Sequence, residues 1–247
     1  MRRLAFVICL QFLSLIGCGR QDEYLQSKDS DLDSVVLDAA RSKWTNPREI
    51  PVCVMNRGAL GHELFNDLMD FVKNEYRTKT GIGFSGWGDC TTAQLGISVI
   101  RVQFNLKHNW TSSAAVIAGG GLSMVGMSSR TCGTDCVGGT MRLDIGASGN
   151  YPADGSRYSS FIKSRTRATA IHEFGHALGL MHEHERTDVI GCDKGDGSVV
   201  SGQHYVYVTD YDANSIMNYC HSGSIMTLSD KDVAGINYLY PVLGTGH

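Results

Sequence analysis

The sequence is poor in proline, modest in charge and without a long apolar run. It has 4 Pro and 19% charged residues among 247, with a net charge of −3. No dense run of Lys or Arg occurs, so a nucleic-acid or polybasic membrane partner has no electrostatic support. No apolar stretch reaches the roughly 18–20 residues that a membrane-spanning helix needs. The 42% hydrophobic content excludes disorder, and the 29 Gly follow no three-residue period, which excludes collagen. The chain is long enough for a sizeable buried core.

The N-terminus has the pattern of an export signal. Two arginines precede an almost wholly apolar segment, residues 4–16, which has the length of a signal-peptide core. The sequence Leu15-Ile16-Gly17-Cys18 then resembles the bacterial lipobox, in which cleavage precedes an acylated cysteine. We therefore predict a lipoprotein signal peptide over residues 1–17 and an acidic tether over 18–43. The protein is expected to be exported and lipid-anchored at the outer membrane or cell surface; an ordinary signal peptide with an incidental Cys18 is the alternative.

The remaining cysteines support export. Once Cys9 leaves with the signal and Cys18 carries lipid, six remain of the 8 in the sequence. An even number in an exported chain favours disulfides, although many pairings are possible. We predict the pairs Cys53–Cys90, Cys132–Cys136 and Cys192–Cys220. A thiolate zinc site is the rival interpretation, but no paired C-x-x-C spacing occurs.

From Trp44 onward the pattern is that of a folded domain, with strands and helices in mixed order. Apolar and β-branched runs predict strands at residues 50–55, 97–104, 122–128 and 140–145. Helical periodicity predicts helices at 59–77 and 163–178, and a last helix capped by Ser229 that ends before Pro241. A long irregular stretch separates the last two helices.

The chemistry-bearing residues lie in the sequence HEFGHALGLMH, residues 172–182. His172 and His176 are four residues apart and share one helix face, so both can hold one ion. Glu173 lies about 100° round the helix, beside the ion. Gly179 can end the helix in the left-handed conformation and return His182 as a third ligand. The opposite helix face is apolar: Ala170, Ile171, Phe174, Ala177 and Leu178. Three neutral imidazoles leave the fourth position of a tetrahedral Zn²⁺ open, which is the catalytic arrangement.

This H-E-x-x-H-x-x-G-x-x-H pattern resembles the zinc motif of the metzincin metalloproteases. Members of that clan also have a Met-turn, a 1,4-turn whose methionine forms an apolar floor under the zinc. The sequence Ser215-Ile216-Met217-Asn218-Tyr219 is similar to it.

Within the metzincins, the flanking residues are most similar to those of the astacins. Glu183, Arg186 and Asp188 resemble the astacin extension after the third histidine. Tyr219 matches the astacin tyrosine that can ligate zinc and then stabilise the transition state. Looser similarities are Trp44 with Ile50-Pro51 at the domain start, Ser123-Met124-Val125-Gly126 as the substrate-binding edge strand, and Tyr211-Asp212 before the Met-turn.

The resemblance implies an α+β, zincin/metzincin-like fold over residues 44–247. A twisted mixed sheet with two long helices would form the N-terminal part, and an irregular subdomain with the Met-turn and a terminal helix the C-terminal part. It implies a zinc metalloendopeptidase that hydrolyses peptide bonds through a zinc-activated water. Zn²⁺ would be held by His172, His176 and His182, with Glu173 as general base and Tyr219 as a second catalytic residue. We expect a monomer acting on protein or peptide substrates that lie extended along the edge strand.

A catalytically silent binding lipoprotein of the same fold is the alternative function. The intact Glu173 favours the enzyme, because silent relatives usually lose the base or a ligand. Some residues depart from the astacin pattern: Leu180, Val189-Ile190 and Asn218. The similarity of the last helix to that of the matrixins also leaves other metzincin families possible.

The other polar candidates are given ordinary structural roles. His184 could compete with His182 as a ligand, but the turn at Gly179 and the spacing favour His182, so His184 is expected to be a surface histidine. A similar exposed position is expected for His62, His108, His204, His221 and His247. Glu183 is expected to form a structural ion pair, with Arg186 as a partner or as part of the cleft. Residues 193–197 hint at a calcium loop but lack the acidic twelfth position of an EF-hand, so a polar turn is favoured.

Overall fold

A computed structural model describes most of the chain after residue 42. The described residues are 43–94, 98–108, 120–126, 140–147, 160–192, 206–221 and 225–241. They all belong to one of two compact units, Leu32–His247. The other unit, Met1–Asp31, lies outside the described residues, so the predicted signal peptide, lipobox and nearly all of the tether remain predictions.

The described strands form one five-stranded mixed sheet. They are β1 (Ile50–Val54), β2 (Phe84–Asp89), β3 (Ile100–His108), β4 (Gly121–Ser123) and β5 (Met141–Ala147), in the order β2-β1-β3-β5-β4. The pairs β1–β2, β1–β3 and β3–β5 are parallel, whereas β4 pairs antiparallel with β5 at the sheet edge. The expected mixed sheet is confirmed.

Two strands differ from the sequence-based expectation. The strand β2 was not predicted, because its sequence FSGWGD contains two glycines and no β-branched residue. The strand forms because it pairs with β1. The pairing includes a register shift next to Gly86 and Trp87, both of which have positive φ. The edge strand β4 covers Gly121–Ser123 rather than residues 122–128, and residues 124–126 do not continue it.

Three α-helices lie among the described residues. They are α1 (His62–Thr80), α2 (Ser160–Leu178) and α3 (Asp230–Leu239), which confirms the three predicted helices with shifted boundaries. The helix α1 buries one apolar stripe that includes Leu64, Leu68 and Val72, and it ends at Gly81 in the left-handed conformation. None of the described helices combines the length and apolar character required to cross a membrane.

The core lies between the sheet and the helices α1 and α2. Phe174 of α2 stacks on Trp87 at 5.4 Å between ring centroids and meets Phe84 edge-to-face at 4.7 Å. Tyr76 of α1 donates a hydrogen bond to the Ile171 carbonyl at 2.6 Å. These contacts fix α2 against both the sheet and α1, and α2 is the helix that carries the predicted metal ligands His172 and His176.

Two of the three predicted disulfides are present. Cys53 in β1 is bonded to Cys90, just after β2, with 4.9 Å between Cα atoms. Cys192 is bonded to Cys220, with 5.7 Å between Cα atoms. The third predicted pair, Cys132–Cys136, lies outside the described residues.

Candidate metal centre

The helix α2 supplies His172, Glu173 and His176, and all three side chains are buried. Their exposed fractions are 7%, 3% and 5%. The apolar residues Ile171 and Phe174 on the other face are wholly buried as well. The helix is therefore packed on every side at this level, which restricts the rotamers of the two imidazoles.

A tight turn after α2 returns His182 to the other two histidines. Gly179 has a φ of +110°, which an L-residue rarely adopts, so glycine is required there. The Gly179 N–H donates to the His176 carbonyl at 2.8 Å, and the Leu180 N–H donates to the Gly175 carbonyl at 3.0 Å. The Nε2 atoms of His176 and His182 then lie 3.0 Å apart. The predicted helix end and the return of the third histidine are both confirmed.

Each of the three imidazoles has its Nδ1 atom next to an oxygen. The Nδ1 of His172 is 2.9 Å from the Ile216 carbonyl, and that of His176 is 2.8 Å from the Leu180 carbonyl. The Nδ1 of His182 is 3.0 Å from Oε1 of Glu185. Carbonyl and carboxylate oxygens only accept, so each Nδ1 must carry the proton. In a neutral imidazole this leaves a lone pair on Nε2.

The three Nε2 lone pairs fit a divalent cation. Candidate ligand atoms of His172, His176 and His182 all lie within 4.8 Å of one another. The Nε2 of His172 is buried and makes no hydrogen bond to any described group. Burial lowers the pKa of His172 to about 4, and it lowers the pKa of His176 and His182 well below the usual value. Buried, neutral, converging imidazoles are the donor set that Zn²⁺ prefers.

Glu173 lies against the edge strand β4. A Cβ atom placed on Gly121 would lie only 2.3 Å from Oε1 of Glu173. The Glu173 carboxylate therefore occupies space that is open only because Gly121 has no side chain. This contact brings the edge strand of the sheet directly beside the metal-binding helix.

The predicted Met-turn is present beneath the histidines. The Asn218 N–H donates to the Ser215 carbonyl at 3.1 Å, which closes a 1,4-turn. Met217 is 1% exposed, and its sulfur would lie 2.7 Å from a Cβ atom on Gly175. Its carbonyl accepts from the Glu183 N–H at 3.1 Å. The turn thus packs under α2 and is bonded to the segment that follows His182.

The helix α3 holds this turn through Asp232. The Asp232 carboxylate accepts from the Ser215 hydroxyl at 2.6 Å and from the Ile216 N–H at 3.0 Å. Because the Ile216 carbonyl accepts from His172, one residue of α3 is linked through the turn to a candidate metal ligand.

Tyr219 lies over the histidines on the solvent side. Its ring stacks on that of His172 at 5.3 Å and is 4.5 Å from that of His182. The side chain is 38% exposed, in contrast to the buried imidazoles. The residue is therefore next to the candidate site and open to an incoming ligand.

His184 is buried and is not the surface histidine that the sequence analysis expected. It is 4% exposed, its ring stacks on Tyr219 at 4.4 Å, and its Nδ1 accepts from the Tyr219 N–H at 3.3 Å. The expectation was wrong because the turn after Gly179 folds His184 beneath Tyr219. His62 is exposed, as expected; the side chains of the other four histidines and residues 193–197 lie outside the described part.

Glu183 and Arg186 form the expected structural ion pair. Their closest atoms are 3.4 Å apart, and Arg186, 2% exposed, also makes two 2.7 Å hydrogen bonds to Asp188. Burial raises the pKa of Glu183 to about 7, although Arg186 acts in the opposite direction. Glu183 also accepts from the Asp212 N–H at 2.8 Å. These bonds fix the segment after His182 on the Met-turn side.

A known protein family matches the segment that holds the candidate site. The model of the Astacin peptidase family matches residues 161–190, which cover most of α2 and the segment through Asp188. Over these residues the chain is similar to the astacins. The matched segment includes Glu173, all three candidate ligand histidines, and the Glu183–Arg186 pair.

A curated relative and a solved structure illustrate the similarity. "Zinc metalloproteinase nas-3" of Caenorhabditis elegans is 38% identical over 84 residues, which is 30% of this chain and 28% of the relative. The aligned part thus spans little more than a quarter of that relative. The structure of myroilysin has a TM-score of 0.52 at 22% identity and covers 84% of this chain and 98% of its own. It shows that the two proteins share a fold, in line with the expected α+β zincin/metzincin-like class.

Two residues at the site were missed by the sequence analysis, Glu185 and Asp232. Glu185 is three residues after His182, a spacing that places the two side chains together in a single helical turn. The contact between Glu185 and His182 could therefore have been predicted from this spacing. Asp232 is distant in sequence, and no local pattern connects it with the Met-turn.

Proposed function

We propose that the protein is a zinc-dependent metalloendopeptidase that hydrolyses peptide bonds in proteins. The observation that carries the proposal is the convergence of three neutral imidazoles beside a buried glutamate at the edge of a sheet. The match to the Astacin model over the same residues supports it. The name of the nematode relative, a zinc metalloproteinase, points to the same chemistry.

We assign separate chemical roles to the histidines, Glu173 and Tyr219. His172, His176 and His182 would hold Zn²⁺, which when bound supplies Lewis-acid chemistry and makes a water molecule nucleophilic at neutral pH. Glu173 accepts a proton from that water and passes it to the leaving amine as general base and then acid. The Tyr219 hydroxyl donates a hydrogen bond to the negative oxygen that develops on the substrate.

An extended peptide would bind along β4. This strand is at the edge of the sheet, and no other described strand pairs with its outer side. Backbone hydrogen bonds to an edge strand hold a peptide without regard to its side chains. The close approach of Gly121 to Glu173 would place the scissile bond near the carboxylate.

Cleavage of casein or gelatin tests the proposal. We expect activity in the zinc-loaded protein, loss with a chelator, and recovery when zinc is restored. Glu173→Ala should lose activity while it retains one zinc ion per chain, because Glu173 is not a ligand. Cleavage that persists in Glu173→Ala would contradict the role of the base. If the zinc-loaded protein cleaves neither casein, nor gelatin, nor any member of a peptide library, the result would favour the alternative function, a catalytically silent binding lipoprotein.

We further propose that the chain is an exported monomer, anchored at the outer membrane or cell surface through lipid on Cys18, without a nucleic-acid partner. The disulfides Cys53–Cys90 and Cys192–Cys220 support export, because such bonds persist in oxidising compartments. When the protein is expressed in bacteria, labelled palmitate should be incorporated into it. The label should be lost in Cys18→Ala and retained in Cys9→Ala.

A further inference from the structure

We propose that Glu185 is a positioning residue for the metal centre, which orients His182 and strengthens it as a ligand. The inference rests on the proposed function, because it assigns a role toward the zinc ion. Oε1 of Glu185 lies 3.0 Å from Nδ1 of His182, on the side of the ring opposite the converging Nε2 atoms.

This contact differs in kind from those of the other two histidines. His172 and His176 donate to the neutral carbonyls of Ile216 and Leu180. His182 donates to a carboxylate, and charge-assisted hydrogen bonds are roughly twice as strong as neutral ones. A carboxylate on Nδ1–H fixes the tautomer and raises the basicity of Nε2 toward a metal. His182 needs this support most, since it lies beyond the end of α2.

The local backbone holds the carboxylate in place. Residues Glu183–Glu185 form one 3-10 turn directly after His182, so Glu185 returns to the histidine at a spacing of three. Glu183 anchors the start of this turn through two hydrogen bonds. Its N–H donates to the Met217 carbonyl, and its carboxylate accepts from the Asp212 N–H. The side chain of Glu185 is 21% exposed and that of His182 15%, so the bond is largely shielded from water.

The same carboxylate lies near a second ring. Oε1 of Glu185 is 3.6 Å from Nε2 of His184, whose Nδ1 accepts from the Tyr219 N–H. Glu185 therefore lies between the third ligand and the histidine that stacks on Tyr219. The ligand atoms of His182, His184 and Glu185 also lie within 4.8 Å of one another, so a second cation site is the competing interpretation. The orienting role is favoured because Nδ1 of His182 already faces the carboxylate as a donor.

The test measures zinc affinity in the full chain without substrate. We would compare the wild type with Glu185→Ala, which removes the acceptor, and Glu185→Gln, which keeps an oxygen but loses the charge. Glu63→Gln is the matched control, because it removes one carboxylate from an exposed surface pair with Lys163. The readouts are the zinc dissociation constant by chelator competition, the zinc release rate, and the visible absorption of the Co²⁺-loaded protein.

We expect Glu185→Ala to raise the zinc dissociation constant about 10- to 100-fold, with Glu185→Gln in between and Glu63→Gln unchanged. The Co²⁺ absorption band should shift in both Glu185 variants. The proposal would be overturned if the zinc dissociation constants of Glu185→Gln and Glu185→Ala both lie within about twofold of that of the control. Two zinc ions per wild-type chain, with one lost in Glu185→Ala, would overturn it as well, because Glu185 would then be a ligand.

The two proposals fail in different ways. A wild type that binds zinc but cleaves nothing contradicts the proposed function alone, and the comparison of dissociation constants still decides the role of Glu185. If Glu185→Ala does not fold by circular dichroism, Glu185→Gln, which has the same shape, decides the outcome.

Discussion

Two glycines shape the candidate site through the side chains that they lack. Gly121 leaves room for the Glu173 carboxylate, and Gly175 leaves room for the sulfur of Met217. At both positions a Cβ atom would lie closer than 3 Å to the neighbouring side chain. Since both neighbours are buried, they have little space into which to move. The positions of the carboxylate and of the methionine floor thus depend on glycine.

Gly121→Ala should impair catalysis without abolishing metal binding. The new methyl group would displace Glu173, and a misplacement of about 1 Å at a reacting group lowers the rate on the order of 10²-fold. We expect kcat on a peptide substrate to fall by that order, with one zinc ion retained per chain. Gly88→Ala in β2 is the matched control, since a Cβ atom there meets nothing within 4 Å. Equal activity in the two variants would contradict the placement of Glu173.

Among the helices, α3 has a role beyond closing the fold. Its first turn is a capping box, in which the Ser229 hydroxyl accepts from the Asp232 N–H and the Asp232 carboxylate accepts from the Ser229 N–H. The same carboxylate also binds the Ser215 hydroxyl and the Ile216 N–H of the Met-turn. Helix capping and support of the candidate metal centre therefore depend on one side chain.

Asp232→Ala should destabilise the protein much more than Asp230→Ala. The first change leaves the buried N–H group of Ile216 and the partly buried N–H group of Ser229 without an acceptor, at a cost on the order of 3 kcal/mol in unfolding free energy. Asp230 lies in the same turn but is exposed, so we expect less than about 1 kcal/mol. Urea unfolding of the three proteins measures the difference. Equal midpoints for the two variants would refute this account of Asp232.

Across the domain, residues near both ends of the described chain meet at the end of α2. The Trp44 indole donates to the Ala177 carbonyl at 2.7 Å, and the Tyr240 hydroxyl donates to the Leu178 carbonyl at 2.9 Å. Carbonyl groups at a helix C-terminus lack partners within the helix. These two side chains supply partners just before the turn at Gly179 that returns His182.

Tyr240→Phe should therefore lower stability although it retains the aromatic ring. Loss of a buried hydroxyl that serves the Leu178 carbonyl costs about 1–3 kcal/mol in unfolding free energy. Tyr238→Phe, near the end of α3, is the control, because that side chain is 50% exposed, and we expect no measurable change. Thermal and urea unfolding give the comparison. The interpretation fails if the two variants are equally stable.

Local patterns in the sequence were sufficient to predict the helices and the grouping of the three candidate ligand histidines. His172 and His176 share a helix face by spacing alone, and Gly179 has the conformational freedom that the return of His182 requires. The cap at Ser229 likewise depends only on neighbouring residues. These features were predictable because the interactions that produce them join residues only a few positions apart in the sequence.

Features that join distant segments were decided by packing. The strand β2 exists because β1 pairs with it, and His184 is buried because the turn after α2 places it under Tyr219. Asp232 reaches the Met-turn from a helix 16 residues away in sequence. No local propensity encodes such contacts, since they form only when segments with unrelated sequences are brought together around one core.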